Sequence, residues 1–423
     1  MTESLPVHLF GAAIGRVERA GSTSLVFCAD HEGLDVYGVG STVLSTSLPF
    51  SAAPSPAGAS TNFFGGLLPE GRGRTNLAKQ AGVESTDTFG MLDYAGWELP
   101  GAVNVGMDPG PTAEHIPASA SDVEQLLNRT SDYAMGTVGG GGSLPGVQPK
   151  ATLALLDGRW HITKGGAVST HIVKPVAAGE EWGAHWEAYC LSLGRKLGLL
   201  EFEASVTRFG SRTALVVERY DRIIRGAGDV ERLHQEDSAQ ALGLPWDGDA
   251  KFEAVDHRAT LTNIAGLLPA VRKLSLSQGD RHRLLSYTTF NAAIGNTDAH
   301  AKNFSILHFR DGKAGLAPLY DVTALALAPD GQQNLALRVN GVSYQPSVTV
   351  EHLVNEGTAW GIPEPAARAQ VKQTLEKLFD AVSTVDPLDA GERIGRYISL
   401  QVRNLLDGKP AAVSSEPAYL ARF

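Results

Sequence analysis

The segment NAAIGNTDAHAKNFS, residues 291–305, discriminates best between fold classes for this 423-residue chain. In it, Asp298 and Asn303 stand five residues apart, and Asp321 follows 18 residues after Asn303. Phosphoryl transfer needs one carboxylate that orients and deprotonates the attacking hydroxyl, and oxygen ligands that hold Mg²⁺ against a triphosphate. Protein kinases use an Asp, an Asn five positions later and a further Asp for these tasks. The spacing therefore favours a phosphotransferase.

Two other interpretations of this segment stay open when it is taken alone. Asp298 and His300 could cap a turn while Asn303 ends a loop, because Asp-x4-Asn recurs by chance in long chains. A metal-dependent hydrolase is disfavoured, since the sequence has no His-Glu-x-x-His helix and no histidines at ligand spacing. The segment has to be weighed with the rest of the chain.

Upstream of the segment, a lysine and a glycine-rich loop could bind phosphates. Lys174 ends the apolar run THIVK, where kinases place a strand lysine that pairs with the α- and β-phosphates. Gly139–Gly142, followed by Ser143, Gly146 and Lys150, would let backbone N–H groups approach phosphate oxygens. The alternatives are a lysine that meets solvent and a plain flexible linker, since the sequence has no Walker loop and no complete Gly-x-Gly-x-x-Gly.

The apolar run LVVERYDR, residues 215–222, could supply the remaining part of a kinase. The point where this apolar run meets charged residues could offer main-chain groups to an adenine and a carboxylate to a ribose. Alternatively, the run could be an edge strand that leaves the core. Loop, lysine, strand junction and Asp/Asn/Asp follow one another in the order that a kinase requires. Together they predict an ATP-dependent phosphotransferase with an α+β, two-lobed kinase-like fold, β-rich in its first lobe and mainly helical in its second.

The composition argues against a membrane protein and against a direct nucleic-acid binder. The chain has 46 acidic and 36 basic residues, and the resulting net charge of −10 repels phosphate backbones. Its two cysteines, Cys28 and Cys190, form no Cys-x-x-Cys pair, which fits a reducing compartment. The sequence shows neither a signal-peptide pattern nor an apolar stretch of about 18 residues. We expect a cytoplasmic protein.

Local sequence patterns predict the elements of both lobes. Strands are expected at Val7–Phe10, Leu25–Cys28, Leu34–Tyr37, Ala151–Leu156, Thr170–Lys174, Thr213–Tyr220, Phe304–Phe309 and Leu335–Val339. Helices are expected at Phe89–Tyr94, Ser121–Arg129 with a Ser-x-x-Glu capping box, Trp186–Leu197, Leu261–Leu274, Arg281–Ile294, Pro365–Ala381 and Arg393–Leu406. Residues 51–60 are expected to form a loop. The predicted domains are a β-rich N-terminal subdomain (1–108), the rest of the first lobe (109–255), a helical lobe (256–408) and a flexible tail (409–423).

Short blocks along the chain resemble, in the expected order, those of the HipA family of bacterial toxin serine/threonine kinases. The blocks are FFGGLLPEG (63–71), DYAG (93–96) with GAV (101–103), SLPGVQPKATLALL (143–156), THIVKP (170–175), VVERYDR (216–222), HQEDSAQALG (234–243), NAAIGNTDAHAKNFS (291–305) and LAPLYDV (316–322). The resemblance covers nearly the whole chain. Its N-terminal blocks are typical of the long, single-chain form of the family.

The resemblance implies a role for each residue of the site. Asp298 would be the catalytic base, and Asn303 and Asp321 would bind Mg²⁺. The ATP-binding set would be Pro145, Gly146, Val147, Gln148, Lys150, Lys174, Glu218, Arg219, Tyr220, Asp221, His300, Ala301, Lys302, Asn303, Tyr320 and Asp321. In this set the main chain at residues 218 and 220 would meet the adenine, Asp221 would lie near the ribose, and residues 300 and 302 would lie beside the phosphates.

Ser143 matches the regulatory autophosphorylation serine of the family, in a loop that must fold inward to bind ATP. A phosphoserine adds about −1.5 to −2 charges, which would hold the loop away from the ATP phosphates. Pro145 and Pro149 stand where the family usually has an alanine and an acidic residue. Both stiffen the loop, because proline fixes φ near about −65° and has no N–H donor.

The resemblance also implies partners. A HipB-like helix-turn-helix antitoxin would bind the chain and supply the contacts to DNA, and the phosphorylated target would be a protein, in the family an aminoacyl-tRNA synthetase. The alternatives are a catalytically silent ATP-binding co-repressor, a direct DNA binder and a lipid kinase. The intact Asp298, Asn303 and Asp321, the acidic net charge and the lack of a basic membrane-facing cluster argue against these alternatives in turn.

Overall fold

The computed structural model of the chain describes residues 3–106, 113–130, 144–146, 148–177, 179–226, 228–268 and 279–412. The chain divides into two compact units. The first unit consists of Met1–Ala177, Val206–Gly248 and Leu307–Ala314, and the second of Ala178–Ser205, Asp249–Ile306 and Gly315–Phe423. Both units contain helices and strands, so the predicted α+β class is confirmed. The four domain boundaries predicted from the sequence stay predictions.

The first unit begins with a four-stranded antiparallel sheet that packs against helices. Strands β1 (Ser4–Leu9), β2 (Ala12–Arg19), β3 (Leu25–Ala29) and β4 (Val103–Val105) lie in the order β3-β2-β1-β4. Between β3 and β4 the chain forms helices α1 (His31–Tyr37), α2 (Ala57–Gly66), α3 (Gly71–Ala81) and α4 (Thr88–Ala95). The inward-facing residues of the strands share one apolar core with Phe63 and Phe64, which are fully buried. Burial of this apolar surface stabilises the sheet.

Close packing explains part of the block at residues 63–71. A Cβ atom at Gly65 would lie 2.5 Å from the ring of Trp246, so only glycine fits there. The guanidinium of Arg74 lies 3.6 Å from the centre of the same ring, and its Nε donates to the carbonyl of Ser85 at 2.8 Å. We conclude that Gly65 in this block serves packing around Trp246.

A six-stranded sheet forms the rest of the core of the first unit. Its strands are β5 (Glu114–Pro117), β6 (Ala151–Leu156), β7 (Arg159–Lys164), β8 (His171–Pro175), β9 (Ala204–Phe209) and β10 (Arg212–Glu218), in the order β5-β7-β6-β8-β10-β9. Helix α5 (Ala120–Thr130) packs on this sheet through Val123 and Leu127. The hairpin of β11 (Arg222–Gly226) and β12 (Asp229–Arg232), strand β13 (His234–Asp237) and the short helix α7 (Ser238–Ala241) follow β10.

The second unit is mainly helical. Its helices are α6 (Glu181–Lys196), α8 (Leu261–Leu267), α9 (Asp280–Ile294), α10 (Val350–Ala359), α11 (Glu364–Thr384) and α12 (Glu392–Leu406), with 3-10 turns at Ala301–Asn303, Leu325–Leu327, Gln345–Ser347 and Leu388–Ala390. Helix α9 is buried from Leu284 onward and packs against α10, α11 and α12. Short strands are β14 (Ser305–His308), β15 (Ala314–Leu316), β16 (Asn334–Val339) and β17 (Val342–Tyr344). The chain enters the first unit within β14 and leaves it within β15.

Most predicted elements are confirmed with ends shifted by a few residues. The strands expected at Val7–Phe10, Leu25–Cys28, Ala151–Leu156, Thr170–Lys174, Thr213–Tyr220, Phe304–Phe309 and Leu335–Val339 correspond to β1, β3, β6, β8, β10, β14 and β16. The expected helices correspond to α4, α5, α6, α8, α9, α11 and α12. Residues 269–274 of the helix expected at Leu261–Leu274, and Gly139–Gly142 of the glycine-rich loop, lie outside the described residues.

Two predicted segments are wrong. Leu34–Tyr37 was expected as a strand but forms the end of α1, because the Asp30 carboxylate accepts from the Gly33 N–H at 2.7 Å and caps that helix. Residues 51–60 were expected as a loop, but α2 begins at Ala57, directly after a proline in the position before the helix.

The capping box predicted for α5 is also wrong. The cap is Ser119 with Asp122, whose carboxylate accepts from the Ser119 N–H at 2.8 Å while the Ser119 hydroxyl accepts from the Asp122 N–H at 3.2 Å. The predicted partner, Glu124, instead accepts from the backbone N–H of Ser211 at 2.8 Å. Helix α10 was not predicted, although Thr349 caps it through His352. Within the described residues no helix is both long and apolar enough to cross a membrane.

His234 shows how the first unit buries a titratable side chain. The ring is fully buried, its Nδ1 accepts from the backbone N–H of Ala102 at 3.4 Å, and its Nε2 lies 2.7 Å from the carbonyl of Leu44. This pattern requires a neutral imidazole with the proton on Nε2. Burial, and then the proximity of His308, lowers the pKa of His234 to about 4.

We predict that acid destabilises the first unit through His234. The folded pKa of about 4 lies below the unfolded value of about 6.5, so the contribution is complete above pH ~6.5 and is lost as the pH falls toward 4. Urea denaturation of full-length protein at pH 7 and 4.5 measures it. His234→Gln should flatten the pH dependence, whereas His31→Gln, at an exposed side chain, should leave it unchanged. An equal slope in wild type and His234→Gln would contradict the assignment.

In the second unit, the hydroxyl of Tyr287 is a buried group with several hydrogen-bond partners. Tyr287 is buried on α9, and its hydroxyl lies 3.0 Å from the carbonyl oxygens of both Leu199 and Ala317 while it accepts from Arg283 at 2.9 Å. The single O–H proton of Tyr287 is thus shared between two buried carbonyls from separate parts of the chain, and the Leu199 carbonyl also accepts from the Leu319 N–H at 3.1 Å.

We predict that Tyr287→Phe lowers the free energy of unfolding by about 1–3 kcal/mol, because the buried carbonyl of Ala317 loses the hydroxyl as donor and Arg283 loses it as acceptor. The measurement is urea denaturation followed by circular dichroism. Tyr344→Phe is the matched control, since half of Tyr344 is exposed, and it should change the stability by less than about 0.5 kcal/mol. Equal effects of the two variants would show that the hydroxyl of Tyr287 does not contribute.

Candidate active site

The predicted catalytic loop follows α9 and begins with a glycine that the packing requires. Gly295 ends the helix at φ 74°, in the left-handed region, and its N–H donates to carbonyls of the last turn. A Cβ atom at this position would lie 2.5 Å from the hydroxyl of Tyr397. The chain therefore turns sharply out of the buried helix, and a 3-10 turn at Ala301–Asn303 closes the loop.

The backbone of Asp298 is hydrogen-bonded on both sides. Its N–H donates to Oδ1 of Asn296 at 3.3 Å, and its carbonyl accepts from Nδ2 of Asn303 at 3.0 Å and from the His300 N–H at 2.7 Å. Asp298 itself is exposed, whereas Asn296 and Asn303 are buried. Buried neighbours thus fix the main chain of a residue whose carboxylate reaches the surface.

Asn303 and Asp321 offer oxygen atoms of the kind that Mg²⁺ prefers. Because Nδ2 of Asn303 donates to the carbonyl of Asp298, the orientation of the amide is fixed and Oδ1 points away from that bond. Asp321 is exposed and has a φ of 55°, a strained conformation for a residue with a side chain. These donors fit a hard cation. Among the described residues there is no cluster of three or more His, Cys, Asp or Glu side chains that could hold a metal.

The remaining loop residues of the predicted site lie around the same turn. The Tyr320 hydroxyl donates to the Lys302 carbonyl at 2.7 Å and lies 2.6 Å from the Ser305 hydroxyl, which brings residue 321 to the loop. The buried ring of His300 packs edge-on against Phe252 at 5.4 Å. The Ala301 N–H donates to the carbonyl of Lys251 at 3.1 Å. The structure thus brings residues 298–303, 320 and 321 together within the second unit.

In the first unit, the sheet places one predicted phosphate lysine on a strand and the other directly before the neighbouring strand. Lys174 is buried in β8 and its Cα lies opposite Leu215 of β10. Ala151 of β6 lies opposite Val173 of β8, so one further step of this register would set Lys150, the residue before β6, opposite Lys174. Residues directly opposite each other in an antiparallel pair project to the same face. The register therefore brings the two lysines together.

The described part of the predicted phosphate loop is held close to Lys150. The Nζ of Lys150 donates to the carbonyl of Pro145 at 2.5 Å, and the carbonyl of Gly146 accepts from the Glu70 N–H at 3.3 Å. Gly146 has a φ of 107°, which a side chain would strain. Gln148 and Pro149 are exposed. Val147 and Ser143 lie outside the described residues, so their predicted roles stay predictions.

The predicted adenine segment lies at the end of β10. Glu218 of that strand is opposite His171 of β8, and the Arg219 N–H donates to the carbonyl of Thr170 at 2.9 Å. The hydroxyl of Tyr220 donates to Oε1 of Gln235. The segment therefore continues the sheet for one more hydrogen bond before the chain turns into β11.

Asp221, predicted to lie near a ribose, is buried in an ion network. Its Oδ2 accepts from Arg219 at 2.9 Å, from Arg222 at 2.8 Å and from the Gly101 N–H at 2.8 Å, and its Oδ1 accepts from Nε of Arg219 at 2.9 Å. Burial alone would raise the pKa of Asp221, but the two guanidiniums outweigh it and hold the pKa well below its usual range. This geometry favours a structural role for the Asp221 carboxylate.

The same network fixes Arg219 from the other side. Glu98 accepts from Arg219 at 3.0 Å through one oxygen and from Arg232 at 2.6 Å through the other, and the Ser169 hydroxyl also donates to it at 2.7 Å. Burial would raise the pKa of Glu98, yet the neighbouring guanidiniums of Arg232, Arg222 and Arg219 lower it. The network connects residues near β4 with the end of β10 inside the first unit.

Sequence reasoning missed two functional candidates, Asn291 and Asn296. The amide of Asn296 donates to Oδ1 of Asn291 at 3.0 Å while its own Oδ1 accepts from the Asp298 N–H. Both residues are within the segment that carries the main signal, but the spacing of the kinase pattern does not include them. An amide side chain inside a buried apolar helix was the available sign.

Comparison with known proteins gives two family matches that together span most of the chain. Residues 142–382 match the HipA-like C-terminal domain, and residues 5–106 match the HipA N-terminal domain. A Sinorhizobium fredii protein with the provisional name kinase Y4mE is 32% identical over 359 residues, which are 81% of this chain and 82% of that protein. The serine/threonine-protein kinase toxin HipA of Shewanella oneidensis is 27% identical over 352 residues, 78% of this chain and 79% of that protein.

A solved structure shares the fold. The complex of HipA, HipB and operator DNA from the Shewanella oneidensis toxin–antitoxin system contains a chain that matches with a TM-score of 0.75 and 23% identity. The match covers 99% of this chain and 94% of that one. The predicted two-lobed, kinase-like α+β fold is thereby confirmed.

We predict that Asp221→Asn destabilises the protein by about 3 kcal/mol, because two buried guanidiniums each lose one of their two charged partners and keep only Glu98. If the carboxylate is structural, the affinity for ATP should change by less than about threefold. A tenfold change would correspond to about 1.4 kcal/mol of binding free energy. Urea denaturation and titration with a fluorescent ATP analogue measure the two effects. Asp35→Asn, at an exposed side chain, is the control. Weaker ATP binding at unchanged stability would instead support contact with the ribose.

Proposed function

The chain belongs to the HipA family, and from this premise we propose that it is an ATP-dependent serine/threonine protein kinase that acts as the toxin of a toxin–antitoxin pair. The observation that carries the proposal is the geometry around Asp298. An exposed carboxylate stands on a backbone that buried asparagines hold on both sides, followed by Asn303 and Asp321 at the spacing of a kinase.

Each predicted site residue of the second unit then has a proposed chemical task. The Asp298 carboxylate orients the hydroxyl of the target serine or threonine and accepts its proton. Oδ1 of Asn303 and the carboxylate of Asp321 would hold Mg²⁺, which neutralises charge on the β- and γ-phosphates when it is bound. The main chain of His300 and Ala301, together with Lys302 and Tyr320, would border the phosphates.

The first unit would supply the binding site for the rest of ATP. Lys174 and Lys150 would neutralise the phosphates, with Pro145, Gly146, Val147 and Gln148 forming the loop over them. The main chain of Glu218, Arg219 and Tyr220 would meet the adenine at the end of β10. Asp221 is left out of this set because the network with Arg219 and Arg222 occupies its carboxylate.

The proposed partners follow from the membership of the chain in the HipA family and from its net charge. The relative from Shewanella oneidensis is present in a complex with HipB and operator DNA. We therefore propose a HipB-like antitoxin for this chain, and contact with DNA only through that antitoxin, because a net charge of −10 opposes direct binding to phosphates. The target would be a protein, for which an aminoacyl-tRNA synthetase is the candidate, and phosphorylation of Ser143 would switch the kinase off.

We predict that purified protein transfers label from γ-labelled ATP with Mg²⁺ to Ser143, and that Asp298→Asn slows this transfer about 10²–10⁴-fold because the base is lost. ATP binding should stay within about threefold of wild type. Asp330→Asn, at another exposed aspartate of the second unit, is the control and should keep full activity.

Mass spectrometry of the starting material comes first, since a protein already phosphorylated at Ser143 would accept no label. If unphosphorylated wild type binds ATP but transfers nothing, the kinase proposal fails. The silent ATP-binding partner would then be the better description.

A further inference from the structure

Two large apolar side chains are exposed close together on the surface of the second unit. Leu388 is 77% exposed and Trp182 is 39% exposed. Helix α6, which carries Trp182, packs against the 3-10 turn Leu388–Ala390. The ring centres of Trp182 and Trp186 lie 4.7 Å apart, and Nε1 of Trp186 donates to the carbonyl of Ala390 at 3.2 Å. Trp186 thus connects the two exposed side chains, and we call their surface the Trp182–Leu388 patch.

Leu388 has a backbone conformation that its side chain disfavours. Its φ is 45°, in the left-handed region, which is an outlier for a bulky residue. The turn holds this conformation, because the Leu388 N–H donates to Oδ1 of Asp386 at 2.9 Å and the Leu388 carbonyl accepts from the Gly391 N–H at 3.1 Å. The fold therefore keeps an apolar side chain in water despite backbone strain. Strain of this kind is concentrated at functional positions.

The rim of the patch is acidic. Residues 175–194 and 378–392, which include both apolar side chains, contain no Lys or Arg. The exposed carboxylates in these two segments next to the apolar side chains are those of Glu180, Asp386, Asp389 and Glu392. Arg396 of α12 pairs with the last of these, so the negative charge is strongest at the other three. An apolar centre with such a rim is complementary to a positively charged partner.

We propose that the Trp182–Leu388 patch is a docking site for a basic, amphipathic segment of the protein substrate. Apolar side chains of the segment would cover Trp182 and Leu388, and its Lys or Arg side chains would pair with the acidic rim. The identity of the occupant as a substrate rests on the proposed kinase function, and the patch lies in the unit that carries Asp298. A second copy of this chain is disfavoured, because a symmetric contact would bring the same carboxylates face to face.

The first test measures binding in the absence of ATP and therefore needs no kinase activity. The probe is a fluorescein-labelled peptide, Lys-Leu-Leu-Lys-Lys-Leu-Leu-Lys, and fluorescence anisotropy gives its Kd for the full-length protein. Two control peptides replace every Lys by Glu or every Leu by Ser, and each should bind at least about tenfold more weakly. Raising the salt concentration from about 50 to about 500 mM should also weaken binding of the basic peptide.

Variants of the patch show whether the peptide binds there. Trp182→Ala and Leu388→Asn should each weaken binding at least about tenfold, whereas Val255→Ser should stay within about twofold of wild type. Val255 is the matched control, since it is an apolar residue of the same unit that is 64% exposed. Asparagine tolerates the left-handed conformation, so Leu388→Asn should not lower the melting temperature. An equal Kd in wild type and Leu388→Asn would overturn the proposal.

The charge of the rim is tested separately. The double variant Glu180→Gln, Asp389→Asn should weaken binding of the basic peptide about fivefold at low salt and make the Kd less dependent on salt. Asp330→Asn, which removes one exposed carboxylate elsewhere in the same unit, should change neither quantity. If the double variant behaves like Asp330→Asn, the acidic rim does not select the partner and the proposal is wrong.

The second test asks whether the patch serves a substrate. The phosphoacceptor is a peptide with the sequence of residues 139–150, which contains Ser143, either alone or joined to the basic segment through flexible Gly/Ser linkers. With linkers of about 10, 20 and 40 residues, the best joined peptide should have a kcat/KM at least about tenfold above that of the acceptor alone, because docking raises its effective concentration. Leu388→Asn should abolish this gain and leave the rate on the acceptor alone unchanged.

The remaining outcomes distinguish the docking site from its occupant and from the kinase function. The same gain in Leu388→Asn, or no gain at any linker length, would overturn the assignment of the patch to a substrate. A wild-type dimer that becomes a monomer in Leu388→Asn, measured by analytical ultracentrifugation, would identify a second copy as the occupant instead. If wild type labels neither peptide nor its own Ser143 while binding depends on Trp182 and Leu388, the patch stands as a docking site and the proposed kinase function fails.

Discussion

An exposed carboxylate can act on a substrate only if something else holds it in place, and here the peptide groups on either side of Asp298 take that part. The side chain is at the surface, where solvent screens its interactions and packing is sparse. Its N–H and its carbonyl, by contrast, bind the buried amides of Asn296 and Asn303. The bond from Asn303 also fixes which atom of that amide is left for a cation. These two hydrogen bonds thus help to hold the main chain of the proposed base, and one of them orients a proposed metal ligand.

The first unit follows a different rule, because there the charges themselves are buried. Charged side chains enter a protein interior only when partners compensate for the lost hydration. Asp221 and Glu98 meet three guanidiniums, those of Arg219, Arg222 and Arg232, and the backbone N–H of Gly101 completes the network. The consequence for function is a division within the block VVERYDR. Arg219, Asp221 and Arg222 of this block serve the interior, so these three residues can offer only main-chain groups to a nucleotide.

The sequence predicted the strongly patterned elements well and the polar contacts poorly. Helix α9 and strand β6 were found from the pattern of their apolar residues, whereas Leu34–Tyr37 alternates in a way that also fits one helical turn, and only the hydrogen bond from the Gly33 N–H to the Asp30 carboxylate decides between them. The cap at Ser119 was missed because Ser121 offers an equally good spacing, and Glu124 finds its partner 87 residues away at Ser211. Asp298, Asn303 and Asp321 could be chosen by spacing. The hydrogen bonds of Asn296 could not be predicted, since they depend on which side chain and which N–H lie next to its amide after folding.

The order in which segments of the two units follow one another along the chain determines which fragments could be used to test the proposed activity. Each unit contains three separate segments, and the chain changes unit after residues 177, 205, 248, 306 and 314. The proposed lysines and adenine segment are in the first unit, while Asp298, Asn303 and Asp321 are in the second. Because the segments alternate, no single cut separates one unit from the other, and a fragment that begins after residue 248 would lack both α6 and the proposed lysines. A chain that contains both units is therefore needed to test both halves of the proposed chemistry, and a loss of activity on truncation within a unit would say nothing about either half alone.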